Sequence, residues 1–344
     1  MRITTNAILR NYKSNLGTSI SNLNKSRNHV MTQRSFNSVA ENPASAARAS
    51  QLHRKYYTNL DNLNTLEDVQ SRQDSQEDAL MQISNAIRTI SSDYNVQAMN
   101  GDKQTKETRA TFAAAIRQFQ QSMTLSLNST YEDTFLFAGT DGKNPPFELK
   151  DDGKLYYRGI DVNSVDDTPP KILDPNSDYK KLQKYQEEKL YVDLGMGLSF
   201  DSISQHIVSS SAFNVSLPGI KAIGFGKDGD LNSNVITLAG QLADALEANE
   251  FDAENYGKLM DKFKTKQTEV LNQITDLGVK AEFLNTTKER LTSNDISLQE
   301  QMVKVEGVDT AEAISDYMWN QYAYNAALKV GTSILSPSFI DFMK

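Results

Sequence analysis

The chain has 344 residues and a net charge of −8 from 36 basic and 44 acidic side chains. That length accommodates two or three domains, and that charge argues against a general nucleic-acid binder. It has no cysteine, which excludes disulfides, thiolate catalysis and sulfur-ligated zinc. No apolar run approaches membrane-spanning length, and Met1-Arg2-Ile3-Thr4-Thr5-Asn6 leads into a polar segment without the apolar core of a cleaved signal. The expected location is the cytoplasm, or the exterior by a route that needs no cleaved signal.

In chain order, the first thirty residues set Leu9, Leu16, Leu23 and Val30 seven apart, with Tyr12 and Ile20 filling the three-four steps. That spacing predicts a helix lying along another helix. Gln33 to Pro43 is small, polar and broken by proline, and reads as a linker. A second helix follows, with Leu52, Tyr56, Leu60 and Leu63 inside, resuming at Leu80, Ile83, Ile87, Ile90 and Tyr94. The polar stretch 70–78 between them is expected to face solvent or another subunit. Asn100-Gly101-Asp102 reads as a turn, and Phe112, Ile116, Phe119, Met123 and Leu127 mark a third helix.

From about Phe135 to residue 230, Gly, Pro and Asp punctuate short apolar runs. Leu155-Tyr156-Tyr157 and Leu190-Tyr191-Val192 read as strands. Thr168-Pro169-Pro170 and Asp174-Pro175-Asn176 read as loops, and Lys180–Lys189 as an exposed helix or insertion. Helix returns over 233–248. The longest periodic segment then runs from Leu259 through Phe263, Val270, Leu277, Leu284, Leu291 and Leu298 to Val305, about fifty residues and roughly 75 Å. Glu306-Gly307-Val308-Asp309 breaks the phase, and this break is expected to lie beside the 33–43 linker. The last helix repeats the spacing at Ile314, Tyr317, Gln321, Tyr324, Leu328, Gly331 and Leu335. Residues 1–60 hold nine Lys/Arg and one acid, whereas 295–316 hold six acids and one Lys. The two ends are therefore expected to pair, a basic helix against an acidic one.

Little in the sequence suggests chemistry. His29, His53 and His206 are far apart, with no metal-ligand spacing. Asp228, Asp230 and Asn232 alternate like the start of a calcium loop. The turn glycine, however, is Ser233 and the bidentate acid Ala239, so the expected role is capping of the next helix by Asn232 or Ser233. Gly219 and Gly224 are spaced like a phosphate loop, but Phe225 stands where Lys is needed. Asp151-Asp152 and Asp166-Asp167 sit where turns want acids. No catalytic, cofactor or metal residue is assigned.

Several segments, in this order, resemble the hook–filament junction proteins of the bacterial flagellin superfamily. They are the opening Met1-Arg2-Ile3-Thr4; the linker through Asn37 and Pro43, with Gln33 where the family has Gly; and Phe135-Leu136-Phe137-Ala138-Gly139-Thr140. Tyr156-Tyr157-Arg158-Gly159, Val192-Asp193-Leu194-Gly195 and the ending Ser338-Phe339-Ile340-Asp341-Phe342 complete the set. The resemblance implies a non-enzymatic structural role, with no cofactor, in a short ring joining hook to filament. The implied partners are other copies of the chain, the adjoining hook-associated protein on the hook side, flagellin on the filament side, and an export chaperone on the C-terminal helix. Neither nucleic acid nor membrane is implied as a partner. The implied location is the extracellular flagellum, reached by type III export. Filament flagellin shares both ends and the linker and is the nearest alternative; a cytoplasmic coiled-coil scaffold and an enzyme housed in the insert are more distant ones.

The expected fold is α+β, mostly α and elongated. Residues 1–43 with 307–344 would form a terminal-helix coiled coil, 44–138 with 232–306 a helical rod, and 139–231 a β-rich outer domain. The expected assembly interface is Leu9, Leu16, Leu23, Val30, Tyr324, Leu328, Leu335, Phe339 and Phe342.

Overall fold

The computed structural model describes residues 2–95, 105–150, 152–164, 176–202 and 206–335. The turn expected at 100–102 and the loop at 168–170 lie outside them. Helix α1 spans Arg2–Thr32, α2 Pro43–Thr89 with a π turn at Ile90–Tyr94, and α3 Lys106–Leu127. Five short strands follow: β1 (Thr130–Tyr131), β2 (Thr134–Phe135), β3 (Phe147–Leu149), β4 (Leu155–Tyr157) and β5 (Ile160–Asp161). Then come α4 (Asp178–Gln186), β6 (Tyr191–Val192), β7 (Phe213–Asn214), α5 (Gly219–Ile223), β8 (Lys227–Asp228) and β9 (Leu231–Asn232). Helices α6 (Val235–Glu247), α7 (Ala253–Glu306) and α8 (Thr310–Leu335) complete the described chain. The sheets are small and antiparallel, ordered β1-β2, β3-β4-β5, β6-β7 and β8-β9. The fold is α+β and mostly α.

Local chemistry explains where the helices begin. Asn42 caps α2, its Oδ1 accepting from the Ser45 N–H at 3.1 Å, and Pro43 takes the first helical position, where no N–H is needed. The cap of α6 is Asn234 and not the expected Asn232 or Ser233. Its Oδ1 accepts from the N–H groups of Ile236 (2.9 Å) and Thr237 (3.3 Å). Asn232 instead ends the β8–β9 hairpin, so the Asp228–Asn232 alternation is a strand turn. Gly219 opens α5, where a Cβ would run into the Phe147 ring and the Cβ of Phe137; this glycine serves packing.

The chain divides into two compact units, one of residues 1–61 with 291–344 and one of residues 62–290. In the second, Ile83, Ile87, Ile116 and Leu127 join Leu238, Leu242, Leu259 and Phe263 in one apolar cluster that continues into Phe147, Leu155 and Tyr157 of the sheet. The polar stretch 70–78 does not simply face solvent. It is part of the continuous helix α2, and Gln73 and Gln76 are buried. Gln76 donates to the Leu136 carbonyl at 3.0 Å and Arg72 to the Thr134 hydroxyl at 2.8 Å. A polar run can turn inward when irregular chain beside it offers carbonyls to satisfy. Residues 180–186 of the charged 180–189 stretch lie in α4, which is seated on the core through buried Leu182.

Glu188 holds the entry to the strand region. Its carboxylate accepts from the Thr140 N–H (3.0 Å), the Thr140 hydroxyl (2.9 Å) and the Arg158 guanidinium (2.9 Å). Arg158 also lies over the Tyr185 ring, 4.1 Å from its centre. At Gly139 (φ +70°) a Cβ would collide with this carboxylate. The Phe-Ala-Gly-Thr segment is thus pinned by a largely buried, charge-assisted network.

Tyr256 of α7 is buried among apolar groups beside Phe251, and its hydroxyl has no hydrogen-bond partner among the described residues. Burial pushes this hydroxyl up to about 12. Because the neutral form is favoured in the fold, its contribution is complete below an unfolded value of about 10 and is lost as pH rises from there towards 12. Tyr256→Phe should therefore cost nothing at neutral pH and remove alkaline destabilisation that reaches about 1.4 kcal/mol at pH 11. Tyr157, raised in the same direction by burial, keeps its own share. Urea melts of the two proteins at about pH 8 and 11 should coincide at the lower pH and separate at the higher one.

Candidate assembly surface in the terminal unit

Within the first unit α1 packs along α8. On α1 the more buried positions are Leu9, Tyr12, Leu16, Ser19, Leu23, Ser26 and Val30, alternating by three and four. The four predicted interface residues of α1 all lie on this seam. Ile20 does not; Ser19 replaces it and Ile20 is 40 % exposed. Ser26 satisfies its buried hydroxyl within the helix by donating to the Asn22 and Leu23 carbonyls at 3.1 Å.

On α8 the more buried positions are Ala313, Tyr317, Asn320, Tyr324, Ala327 and Gly331. Tyr317, Tyr324 and Gly331 match the predicted face. Ile314, Gln321 and Leu328 fall one residue away and are exposed, Leu328 by 40 %. The reason is steric. A Cβ at Gly331 would overlap the Tyr12 hydroxyl, so α1 sits against the small side of α8, lined by Ala313, Ala327 and Gly331. The side chain of Leu335, and Phe339 and Phe342 altogether, lie outside the described residues.

The linker and the break between α7 and α8 lie side by side, as expected. Ser35 N–H donates to the Glu306 carbonyl at 2.7 Å and Val308 N–H to the Gln33 carbonyl at 3.2 Å, and Arg34 bridges Gly307. Gly307 is required because a Cβ would strike the Val303 carbonyl. The Glu306 carboxylate is paired with Arg34 at 3.5 Å and with His53 of α2. Sequence spacing could not reveal this cluster, whose members are more than 250 residues apart. Glu41 accepts from the Asn37 N–H at 2.7 Å, and that bond holds its carboxyl below the ordinary range.

The expected electrostatic match between the two ends takes a different form. In this unit the Glu306 carboxylate is ion-paired with Arg34 and hydrogen-bonded to His53. Arg10, Lys13 and Arg27 of α1 form none with Glu312 or Asp316 of α8, because these charges point away from the seam. No helix among the described residues is long and apolar enough to cross a membrane, and no group of three or more metal-ligating side chains is found there.

Residues 3–141 match the model of the bacterial flagellin N-terminal helical region. Among solved structures the fold is similar to that of a Vibrio parahaemolyticus protein provisionally assigned as a flagellar hook-associated protein. That match has 15% identity and a TM-score of 0.57, over 78% of this chain and 100% of that one. Bacillus cereus FlgL also matches, with 15% identity and a TM-score of 0.50, over 74% of this chain and 99% of the other. No curated protein matches the sequence. The chain thus has a flagellin-type N-terminal region in a fold shared with these structures.

Gln33 is where the resemblance has glycine, and it adopts the left-handed conformation (φ 55°) while its carbonyl receives Val308 N–H. A side chain in this region costs about 1 kcal/mol, part of which a glycine would return as unfolded-state entropy. Gln33→Gly is therefore expected to stabilise the terminal unit by about 0.5 kcal/mol. Amide exchange at Val308 should slow correspondingly, with no change at Leu242 in the other unit.

Proposed function

We propose that the protein is a non-enzymatic structural subunit of the bacterial flagellum, placed at the junction of hook and filament, where copies join through α1 and α8. The observation that carries this reading is the terminal unit itself. The flagellin-type N-terminal helix and the C-terminal helix come together in one unit, while residues 62–290 fold as a separate one. The similar structures, described as a hook-associated protein and as FlgL, support the same place in the organelle. The partners follow from that place: other copies in a ring, a hook-associated protein on the hook side, flagellin on the filament side, and an export chaperone covering the C-terminal helix before assembly. The protein would act outside the cell after export without a cleaved signal.

The flagellin N-terminal match also favours a second reading, filament flagellin. Deleting the gene separates the two. The junction reading expects hooks without filaments and flagellin released to the medium, with a few copies of this protein per wild-type filament. A filament composed of this chain supports the second reading, and normal motility of the deletion strain overturns both.

A further inference from the structure

Helix α8 exposes large apolar side chains that its seam with α1 does not use. Trp319 and Tyr322 are each 69% exposed, Met318 63% and Val330 55%. Glu312, Asp316, Trp319, Ala323, Ala326 and Val330 repeat by four and three, all exposed. Helix α1 carries a matching second series, Arg10, Lys13, Gly17, Ile20, Asn24, Arg27 and Met31, again alternating by three and four and all exposed. A Cβ at Gly17 would meet nothing within 4 Å, so nothing in its own chain calls for a glycine in mid-helix, where it costs about 0.5–1 kcal/mol.

At about 100° per residue, each outer series lies roughly 100° around its helix from the inner seam. The helices are antiparallel, since α1 ends and α8 begins at the Arg34–Gly307 bridge while Tyr12 meets Gly331. Taking right-handed helices in opposite directions, the α1 series then faces one side of the two-helix layer and the α8 series the other. On the α1 side, Ile314 and Leu328 of α8 are also exposed and border a groove beside Ile20.

We propose that this groove receives the outer face of α8 from a second copy of the chain, so that copies add head to tail. Three features select that occupant. The acidic start of the outer α8 face, Glu312 and Asp316, is opposite in charge to Arg27 at the facing end of α1, and among the described residues none of these three forms an ion pair within the chain. The two surfaces lie on opposite sides of the layer, so neither can be satisfied by its own chain, and repeated heterologous contacts generate rings or helical arrays. Copies that point the same way bring α8 of one antiparallel to α1 of the next, which sets the acidic start of α8 against the Arg27 end of α1. The inference rests on the reading that the terminal helices mediate self-assembly; it adds which faces meet.

The cysteine-free sequence allows a direct test. Full-length chains carrying Gly17→Cys or Asn24→Cys are mixed at high concentration with chains carrying Ala323→Cys or Ala326→Cys, and the mixture is oxidised. Because each chain has one thiol, every cross-link joins two copies. The expected result is mixed disulfides well above those of the control mixture of Asn15→Cys with Ala326→Cys, whose sites face the same side of the layer. Emission of Trp319, the single tryptophan, should shift to shorter wavelength as concentration rises. Arg27→Glu or Asp316→Arg should each weaken association about tenfold or more, and the double reversal should restore it. Cross-linking no greater than the control, or a double reversal no better than the singles, overturns the proposal. The purified-chain assay is independent of where in the organelle the protein acts. A failed cross-link beside a filament-less deletion strain rejects the faces and keeps the junction; the converse rejects the junction and keeps the faces.

Discussion

The terminal unit depends on the exchange of main-chain hydrogen bonds between residues 33–35 and 306–308. Two helix ends are brought together there, each with carbonyl and N–H groups that the helices cannot satisfy. The linker leaves α1 in the left-handed turn at Gln33, and α7 gives way to Gly307, where no side chain fits. Each break supplies what the other lacks, and Glu306 adds charge by pairing with Arg34 and His53. Once these bonds form, α1 and α8 have a common starting point, and their register follows.

That register leaves the pair lightly sealed. Inner positions of α1 are half-buried Leu9, Tyr12, Leu16, Leu23 and Val30 with two serines, and α8 contributes alanine, glycine and partly covered tyrosines. Burial of a whole leucine contributes about 1.5–3 kcal/mol and partial burial less, so the intrachain seam alone stabilises the pair modestly. More apolar surface remains outside than a solitary two-helix layer would be expected to show, Trp319 and Tyr322 above all. The terminal unit is thus left with apolar surface that its own two helices do not cover.

The second unit is built on the opposite economy. Its helices and short strands share one continuous apolar cluster, and its polar groups are tied into that cluster by Glu188, Gln76 and Asn234. The buried charge pair of Glu188 and Arg158 is geometrically exacting. It demands glycine at position 139 and a hydroxyl at 140, which accounts physically for the Gly-Thr of the Phe-Ala-Gly-Thr segment. Its own core lets this unit fold without help from neighbours, while the terminal unit is left for contact.

Periodicity determined the long helices and their approximate limits and, with charge, the pairing of the two ends. Heptad spacing is local information, and a 54-residue helix with Leu259, Leu277, Leu284 and Leu291 on one face has few alternatives. It also determined Leu9, Leu16, Leu23 and Val30 as the inner face of α1, because they keep an unbroken heptad repeat. Helix α8 is apolar around much of its circumference, so hydrophobicity could not choose its inner side. Tertiary contact made that choice by fitting Tyr12 over Gly331, which turned Leu328 outward and alanines inward. The burial of Gln76, the Glu306 cluster and the Asn234 cap were likewise decided only in three dimensions. Each depends on a carbonyl, a charge or an edge brought from elsewhere in the chain, and a sequence pattern records what a residue is, not what will stand opposite it.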